Sequence, residues 1–121
     1  GWYRQEYDQA TGRLWRWSSD SAAVRILSQQ SVRIVVRATP PAELDPPPIV
    51  SLRAGATEIA RADGRSSVKW DLVVPVDVLG AAHGVLHLET TRTFVPFEHS
   101  RSSDRRRLGL QVWQFDARPL K

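Results

Sequence analysis

Two glutamates have the setting that comes nearest to catalytic chemistry. Glu89 and Glu98 flank an aromatic-proline corner, residues 94–97, and two carboxylates that converge in a cleft can hydrolyse a glycosidic bond. The competing interpretation is that one is ion-paired or capping and the other lies on the surface. The sequence lacks a Gly-x-Ser-x-Gly elbow, a phosphate loop and a dinucleotide fingerprint. We therefore rank a hydrolase far behind other functions and predict no catalytic residues.

The histidines and loop carboxylates do not form a recognisable metal-binding pattern. His83 and His87 are four residues apart, but they lie at the start of a predicted strand, where this spacing separates side chains by roughly 13 Å. Cysteine is absent, which excludes disulfides, thiolate metal sites and a cysteine nucleophile. Calcium held by loop oxygens of Asp45, Asp63 or Asp104 stays open, although nothing resembles an EF-hand loop. We predict no metal and no other cofactor.

Five tryptophans are many for 121 residues, and an exposed indole stacks well on the planar face of a sugar. Trp15 and Trp17 have the two-residue period that puts both on one face of a strand. The candidate carbohydrate-binding residues are Trp2, Tyr3, Trp15 and Trp17. The alternative is that large aromatic side chains fill the core of a sandwich without cysteine or methionine. For Trp70 and Trp113, in strongly alternating strands, we predict core positions.

A triple arginine follows a polar turn near the end of the chain. These arginines suggest a phosphate site, but strand alternation would send Arg106 opposite to the arginines on either side. We predict a structural role instead: Asp104 accepts hydrogen bonds from the turn, and an arginine, Arg105 or Arg106, reaches a carboxylate such as Glu89 or Glu98. Substituting Asp104 by alanine should then lower thermal stability and leave ligand affinity unchanged.

A two-residue hydrophobic period dominates the chain, whereas a helical period never persists beyond one or two turns. Predicted strands start at Arg13, Ala22, Ser31, Ile49, Thr57, Ser67, Val85 and Leu108. Residues 1–12 should lie against the sandwich, the proline-rich residues 39–48 should form an exposed loop, and residues 76–80 a single helical turn capped by Asp77. We predict one all-β domain over residues 1–121, an antiparallel, jelly-roll-like β-sandwich of about eight strands.

The chain carries 17 lysines and arginines against 13 aspartates and glutamates, for a formal net charge of +4. That balance suits phosphate or an anionic surface. Most arginines, however, alternate with apolar residues, as in Val24-Arg25-Ile26 and Val32-Arg33-Ile34, which is typical of the solvated face of a strand. We therefore predict no nucleic-acid partner.

Methionine is absent, including at position 1, and no run of about 18 apolar residues occurs. We expect the chain to be excised from a larger parent and to contain no transmembrane helix. Several segments together also resemble a known soluble domain. They are Gly1-Trp2-Tyr3 with Glu6, Trp15-Arg16-Trp17, Asp45-Pro46-Pro47 through Arg53-Ala54-Gly55, residues 70–75, Glu89-Thr90, residues 92–96 and residues 103–110.

The resemblance is to the β-sandwich at the C-terminal end of bacterial multi-pass membrane glycosyltransferases of the polyprenyl-phosphate-sugar-dependent, mannosyltransferase-like kind. It implies a non-catalytic, carbohydrate-binding-module-like accessory domain on the periplasmic or cell-surface side, tethered to the membrane by its parent. Catalysis would lie in the parent's membrane portion. The implied partners are that transmembrane glycosyltransferase domain and a glycan, which the domain binds or positions. The alternative is a purely structural or protein-interaction sandwich without a ligand.

Overall fold

The computed structural model describes residues 1–99 and 102–120 of the chain. Within this part the strands are β1 (Trp2–Tyr7), β2 (Leu14–Ser18), β3 (Ser21–Arg25), β4 (Val32–Thr39), β5 (Ile49–Ala54), β6 (Thr57–Asp63), β7 (Val68–Val74), β8 (Val85–Thr90) and β9 (Gln111–Pro119). The helices are α1 (Val76–Ala81) and α2 (Pro96–His99). Neither of these helices is long and apolar enough to cross a membrane.

The strands form two antiparallel sheets. The five-stranded sheet has the order β1-β2-β9-β4-β7, and the four-stranded sheet has the order β3-β8-β5-β6. Without β1, the two sheets are the four-stranded layers of a jelly roll, in which consecutive strands β2 and β3, β4 and β5, and β8 and β9 belong to opposite sheets. The predicted jelly-roll-like β-sandwich is confirmed.

Strand β1 is the one strand in the described residues that the sequence did not predict. It pairs with β2 in a hairpin, with Glu6 opposite Trp15 and Tyr7 opposite Leu14. A register shift between Trp2 and Gln5 breaks its two-residue period, which is the signal that identifies half-buried strands. The segment therefore extends the sheet instead of only lying against it.

The core fills the space between the sheets. Strand β4 alternates buried and more exposed residues along its length, so that Val32, Ile34 and Val36 have no exposed surface. Leu52 and Leu88 face them from the other sheet and are equally buried. Such close packing of β-branched and leucine side chains is what the alternating sequence predicts.

Two local predictions need correction. The loop of residues 39–48 is exposed only in part: Pro40, Pro41 and Pro48 are buried. Its end is held against the turn after β6, because the amide of Gly64 donates a 2.8 Å hydrogen bond to the carbonyl oxygen of Pro48. Helix α1 forms where a helical turn was expected, but Pro75 occupies the N-cap position and no side chain caps the helix. Asp77 lies inside the first turn instead.

Candidate functional site

An open cleft of about 590 Å³ lies beside one edge of the sandwich. Its wall and floor come from β1, β2 and β9 of the five-stranded sheet, and its opposite rim comes from β3, the edge strand of the other sheet. Gln5 pairs with Arg16, which pairs in turn with Val112. Because Val112 is buried in the core, all three side chains lie on the inner face of the sheet. Strand β1 thus extends this face past β3 and leaves part of it uncovered.

The cleft combines apolar, amide and cationic side chains. The inner-face residues that line it are Trp2, Gln5, Leu14, Arg16, Val24, Val112 and Phe115. Gln5, Leu14 and Arg16 are exposed to solvent, whereas Trp2 and Phe115 are half-buried. A concave surface with aromatic side chains and a few polar groups is the usual chemistry of a small-molecule or sugar site.

Trp2 joins the two sheets at one end of the cleft. Its indole Nε1 donates a hydrogen bond of 2.9 Å to the carbonyl oxygen of Ala23 on β3, and its ring packs against the core. Of the four aromatic residues predicted to bind sugar, Trp2 is therefore the one that lines the cleft from the inner face. Its indole N–H is already engaged, so a ligand would contact the ring.

Trp15 and Trp17 project from the outer face of the same sheet, because they alternate with the inward-facing Arg16. Trp15 also borders the cleft, but its ring packs against that of Trp113, with centroids 5.4 Å apart. Its Nε1 donates a 2.7 Å hydrogen bond to Glu6. The structure thus separates Trp15 and Trp17 from Trp2 on the opposite face.

The prediction that Trp113 is a core residue is wrong. Trp113 lies at an irregularity in the pairing of β4 with β9, where Arg37 pairs with Gln114 and Ala38 with Val112. Because Val112 is buried on the inner face, the alternation of β9 places the indole of Trp113 on the outer face, where Nε1 donates a 3.1 Å hydrogen bond to Thr39. Trp70, by contrast, packs against the core as predicted.

Tyr3, the fourth aromatic candidate, is held by the segment after the polar turn. Its hydroxyl donates to the carbonyl oxygen of Arg107 and accepts from the amide of the same residue, both at 3.1 Å. The guanidinium of Arg106 lies 5.5 Å from the centre of the Tyr3 ring. Tyr3 therefore anchors residues 102–108 onto β1 and does not line the cleft.

Asp104, Arg106 and Glu6 form an ionic network beside Tyr3. Arg106 contacts Asp104 at 2.8 Å and Glu6 at 3.1 Å, and the Asp104 carboxylate also accepts the Arg106 amide at 3.0 Å. Hydrogen bonding to Arg106 lowers the pKa of Asp104, and hydrogen bonding to Asp104 raises the pKa of Arg106. The predicted role of Asp104 as a turn acceptor agrees with these contacts.

The predicted partners of the arginines are partly wrong. Arg106 reaches Glu6, not Glu89 or Glu98, because β1 places Glu6 beside the turn. Glu89 lies on the outer face of the four-stranded sheet, 3.6 Å from Arg53 on the neighbouring strand. Arg105 stacks its guanidinium 4.2 Å from the centre of the Phe97 ring.

Among the described residues, no group of three or more histidines, aspartates or glutamates is arranged to hold a metal ion. The fold and the cleft define the class of protein: a jelly-roll β-sandwich domain with an open, partly aromatic cleft beside one sheet edge. No protein-family model, no curated protein and no solved structure matches the chain.

Proposed function

We propose that the domain is a non-catalytic accessory domain of a membrane glycosyltransferase and that it binds or positions a glycan in the cleft beside β3. One observation carries the proposal: an indole, an amide and a guanidinium, those of Trp2, Gln5 and Arg16, line one concave surface. A sugar presents apolar C–H faces and hydroxyl groups at its rim. Such a ligand is matched by an aromatic ring beside polar side chains.

The volume and openness of the cleft suit a short stretch of glycan. About 590 Å³ falls within the roughly 300–1,000 Å³ range of small-molecule sites. The cleft is open to solvent because β1 extends beyond the opposite sheet, so that a chain can lie across it and continue on either side. Positioning a glycan requires this type of surface and no reacting group.

The alternative is a structural or protein-interaction domain, and a separate surface favours it. Leu27 is 89% exposed. Val76 and Leu120 are exposed at the same end of the sandwich, where the backbone amides of Val76 and Leu120 both donate hydrogen bonds to Ser31. Exposed apolar side chains that lie close together mark contact surfaces. Under this alternative the cleft has no ligand.

A paired set of variants tests glycan binding. We would titrate the ¹⁵N-labelled domain with linear oligosaccharides of glucose, mannose and galactose, and follow the indole N–H signal of Trp2 by NMR. The cleft variant Gln5→Ala/Arg16→Ala should lose affinity by about tenfold or more, because each side chain supplies polar contacts to the sugar. The matched control Gln29→Ala/Arg61→Ala removes the same groups from exposed positions outside the cleft, with Arg61 on the sheet edge opposite β3, and should bind like the unmodified domain.

Two outcomes would refute the proposal. If no oligosaccharide on a broad glycan array binds and none shifts a tryptophan signal, glycan binding is excluded for this domain. If a glycan binds equally well to the cleft variant and to its control, the ligand lies elsewhere, and the outer face around Trp15 and Trp17 becomes the site to test.

A further inference from the structure

A small cationic pocket lies on the outer face of the five-stranded sheet, away from the inner face of the cleft. It has a volume of about 160 Å³. The side chains around it are those of Arg13, Arg37, Thr39, Ser67, Lys69 and Trp113. Three of these are cations, two carry hydroxyl groups, and none is acidic.

The strand register forces two of the cations together. Arg37 on β4 lies directly opposite Lys69 on β7, and both side chains are exposed on the same face. Like charges in directly opposite positions of an antiparallel pair are destabilising. Among the described residues, neither Arg37 nor Lys69 has a carboxylate within salt-bridge distance, so that none of these residues offsets the repulsion through an ion pair.

Asp71, a carboxylate on this face, is already engaged. Asp71 lies two residues beyond Lys69 on β7, a separation of about 7 Å along the strand. It accepts a 2.8 Å hydrogen bond from Nε of Arg33, and this bond lowers the pKa of Asp71. Asp71 is therefore paired with Arg33 and not with Lys69.

Neutral donors and aromatic contacts hold the rest of the pocket in place. The hydroxyl groups of Thr39 and Ser67 are 3.2 Å apart, and Thr39 also accepts the indole N–H of Trp113 at 3.1 Å. The guanidinium of Arg13 lies 3.9 Å from the centre of the Trp113 ring, a cation–π contact that places a third positive charge at the rim. The Ser67 hydroxyl can donate inward without losing an obligatory partner.

We propose that this pocket binds an oxyanion: a phosphate, sulfate or carboxylate group. Guanidinium groups bind these anions in a bidentate manner, and lysine adds a point charge. The volume is below that of sites for drug-sized ligands, about 300 Å³ and above, and suits one anionic group. The group is either a free ion or a substituent of a sugar, and the site does not depend on glycan binding in the cleft.

The test uses the ¹⁵N-labelled domain at low, constant ionic strength, with inorganic phosphate, sulfate and acetate in one arm. Glucose 6-phosphate and glucuronate form the second arm, with glucose as the neutral comparison. We expect saturable shifts of the Trp113 indole N–H and of the amides of Thr39 and Ser67. Tighter binding in the second arm would identify a sugar-borne anion, and equal binding in both arms a site for the free ion.

Two matched variants decide whether the pocket is the site. Arg37→Gln should weaken binding by about tenfold or more, since it removes a charge-assisted contact. Arg25→Gln removes the same charge from the outer face of the other sheet, where Arg25 is exposed, and should change the affinity less than about twofold if binding is local. Equal weakening by both variants, or no saturable shift with any anion, would overturn the proposal. Circular dichroism checks that each variant is folded.

Discussion

Two turns of the described residues, residues 63–65 and residues 104–106, share the sequence Asp-x-Arg, and their different environments predict different contributions to stability. In both, the aspartate carboxylate accepts the amide of the arginine two residues later, at 3.0 Å for Asp104 and 3.1 Å for Asp63. In both, the arginine side chain returns to the same carboxylate. The turns differ in environment, because Arg106 also contacts Glu6 on β1, whereas the side chain of Arg65 is 79% exposed.

Replacing each aspartate by asparagine keeps the turn acceptor and removes the charge. At Asp104 the change weakens three contacts with the guanidinium, at 2.8 Å from Nη2 and at 3.0 and 3.2 Å from Nε. Hydrogen bonds to charged groups contribute about 1.5–3 kcal/mol each when they are protected from water. The Asp104 side chain is 26% exposed, and Arg106 keeps Glu6 as a partner, so that we expect a loss of about 1.5 kcal/mol. Asp63→Asn should cost no more than about 0.5 kcal/mol, as is usual for exposed pairs.

The pH dependence follows from the lowered pKa of Asp104. A carboxyl whose pKa is lower in the folded state than its ordinary value of 3.8 contributes stability above that value. This contribution is lost as the pH falls through the pKa of the folded state. The difference in stability between the unmodified domain and Asp104→Asn should therefore be constant from pH 7 to about pH 5 and shrink below about pH 4.

Urea denaturation, followed by tryptophan fluorescence at pH 7, 5 and 3, measures these differences. The slope of the free energy of unfolding against urea should be unchanged, since neither variant alters the buried surface. Equal costs for Asp104→Asn and Asp63→Asn would show that the lower exposure of the Asp104–Arg106 pair adds nothing to its stability. A difference that stays the same at pH 3 would contradict the assignment to the charge.

Two further predictions test the packing of the sandwich. A Cβ atom on Gly109 would lie 2.0 Å from the carbonyl oxygen of Ser19, so Gly109→Ala should cost about 3 kcal/mol or more in the free energy of unfolding. A Cβ atom on Gly80 would have no neighbouring atom within 4 Å, so the control Gly80→Ala should be neutral or stabilising by about 0.5 kcal/mol. Similar losses for both variants would contradict this prediction. Trp113→Phe removes the donor to Thr39 and should lower stability by about 1 kcal/mol, measured by thermal unfolding; an unchanged melting temperature would show that this bond is not stabilising.

The fold was predictable from the sequence where the hydrophobic pattern is regular. In β4, Val32, Ile34 and Val36 alternate with polar or less buried residues, and the structure buries all three. The pattern fails where an extra residue shifts the register. In β1 such an irregularity reverses the side-chain direction that strict alternation assigns. In β9 another places Val112 and Phe115, three residues apart, both opposite buried residues of β4.

The partners of the charged side chains were less predictable than the strands. Arg106 and Glu6 are separated by 100 positions, and only the pairing of β1 with β2 brings them together. A local pattern identifies Asp104 as a turn acceptor because its partner lies two residues away. The local pattern does not indicate which distant carboxylate binds Arg106, because the sheet topology decides which carboxylate lies beside the turn.

Strand β1 therefore determines more of the candidate site than any other element. Without it, the remaining strands would form two matched four-stranded layers, and the inner face next to β3 would have no overhang. Its inward residues Trp2 and Gln5 line the cleft, while Glu6 on its outer face binds Arg106 and Trp15. The network that fixes β1 thus lies on the face opposite the cleft. Loss of the network should consequently appear as lower stability, and the glycan affinity that we propose for the cleft should be retained while the domain is folded.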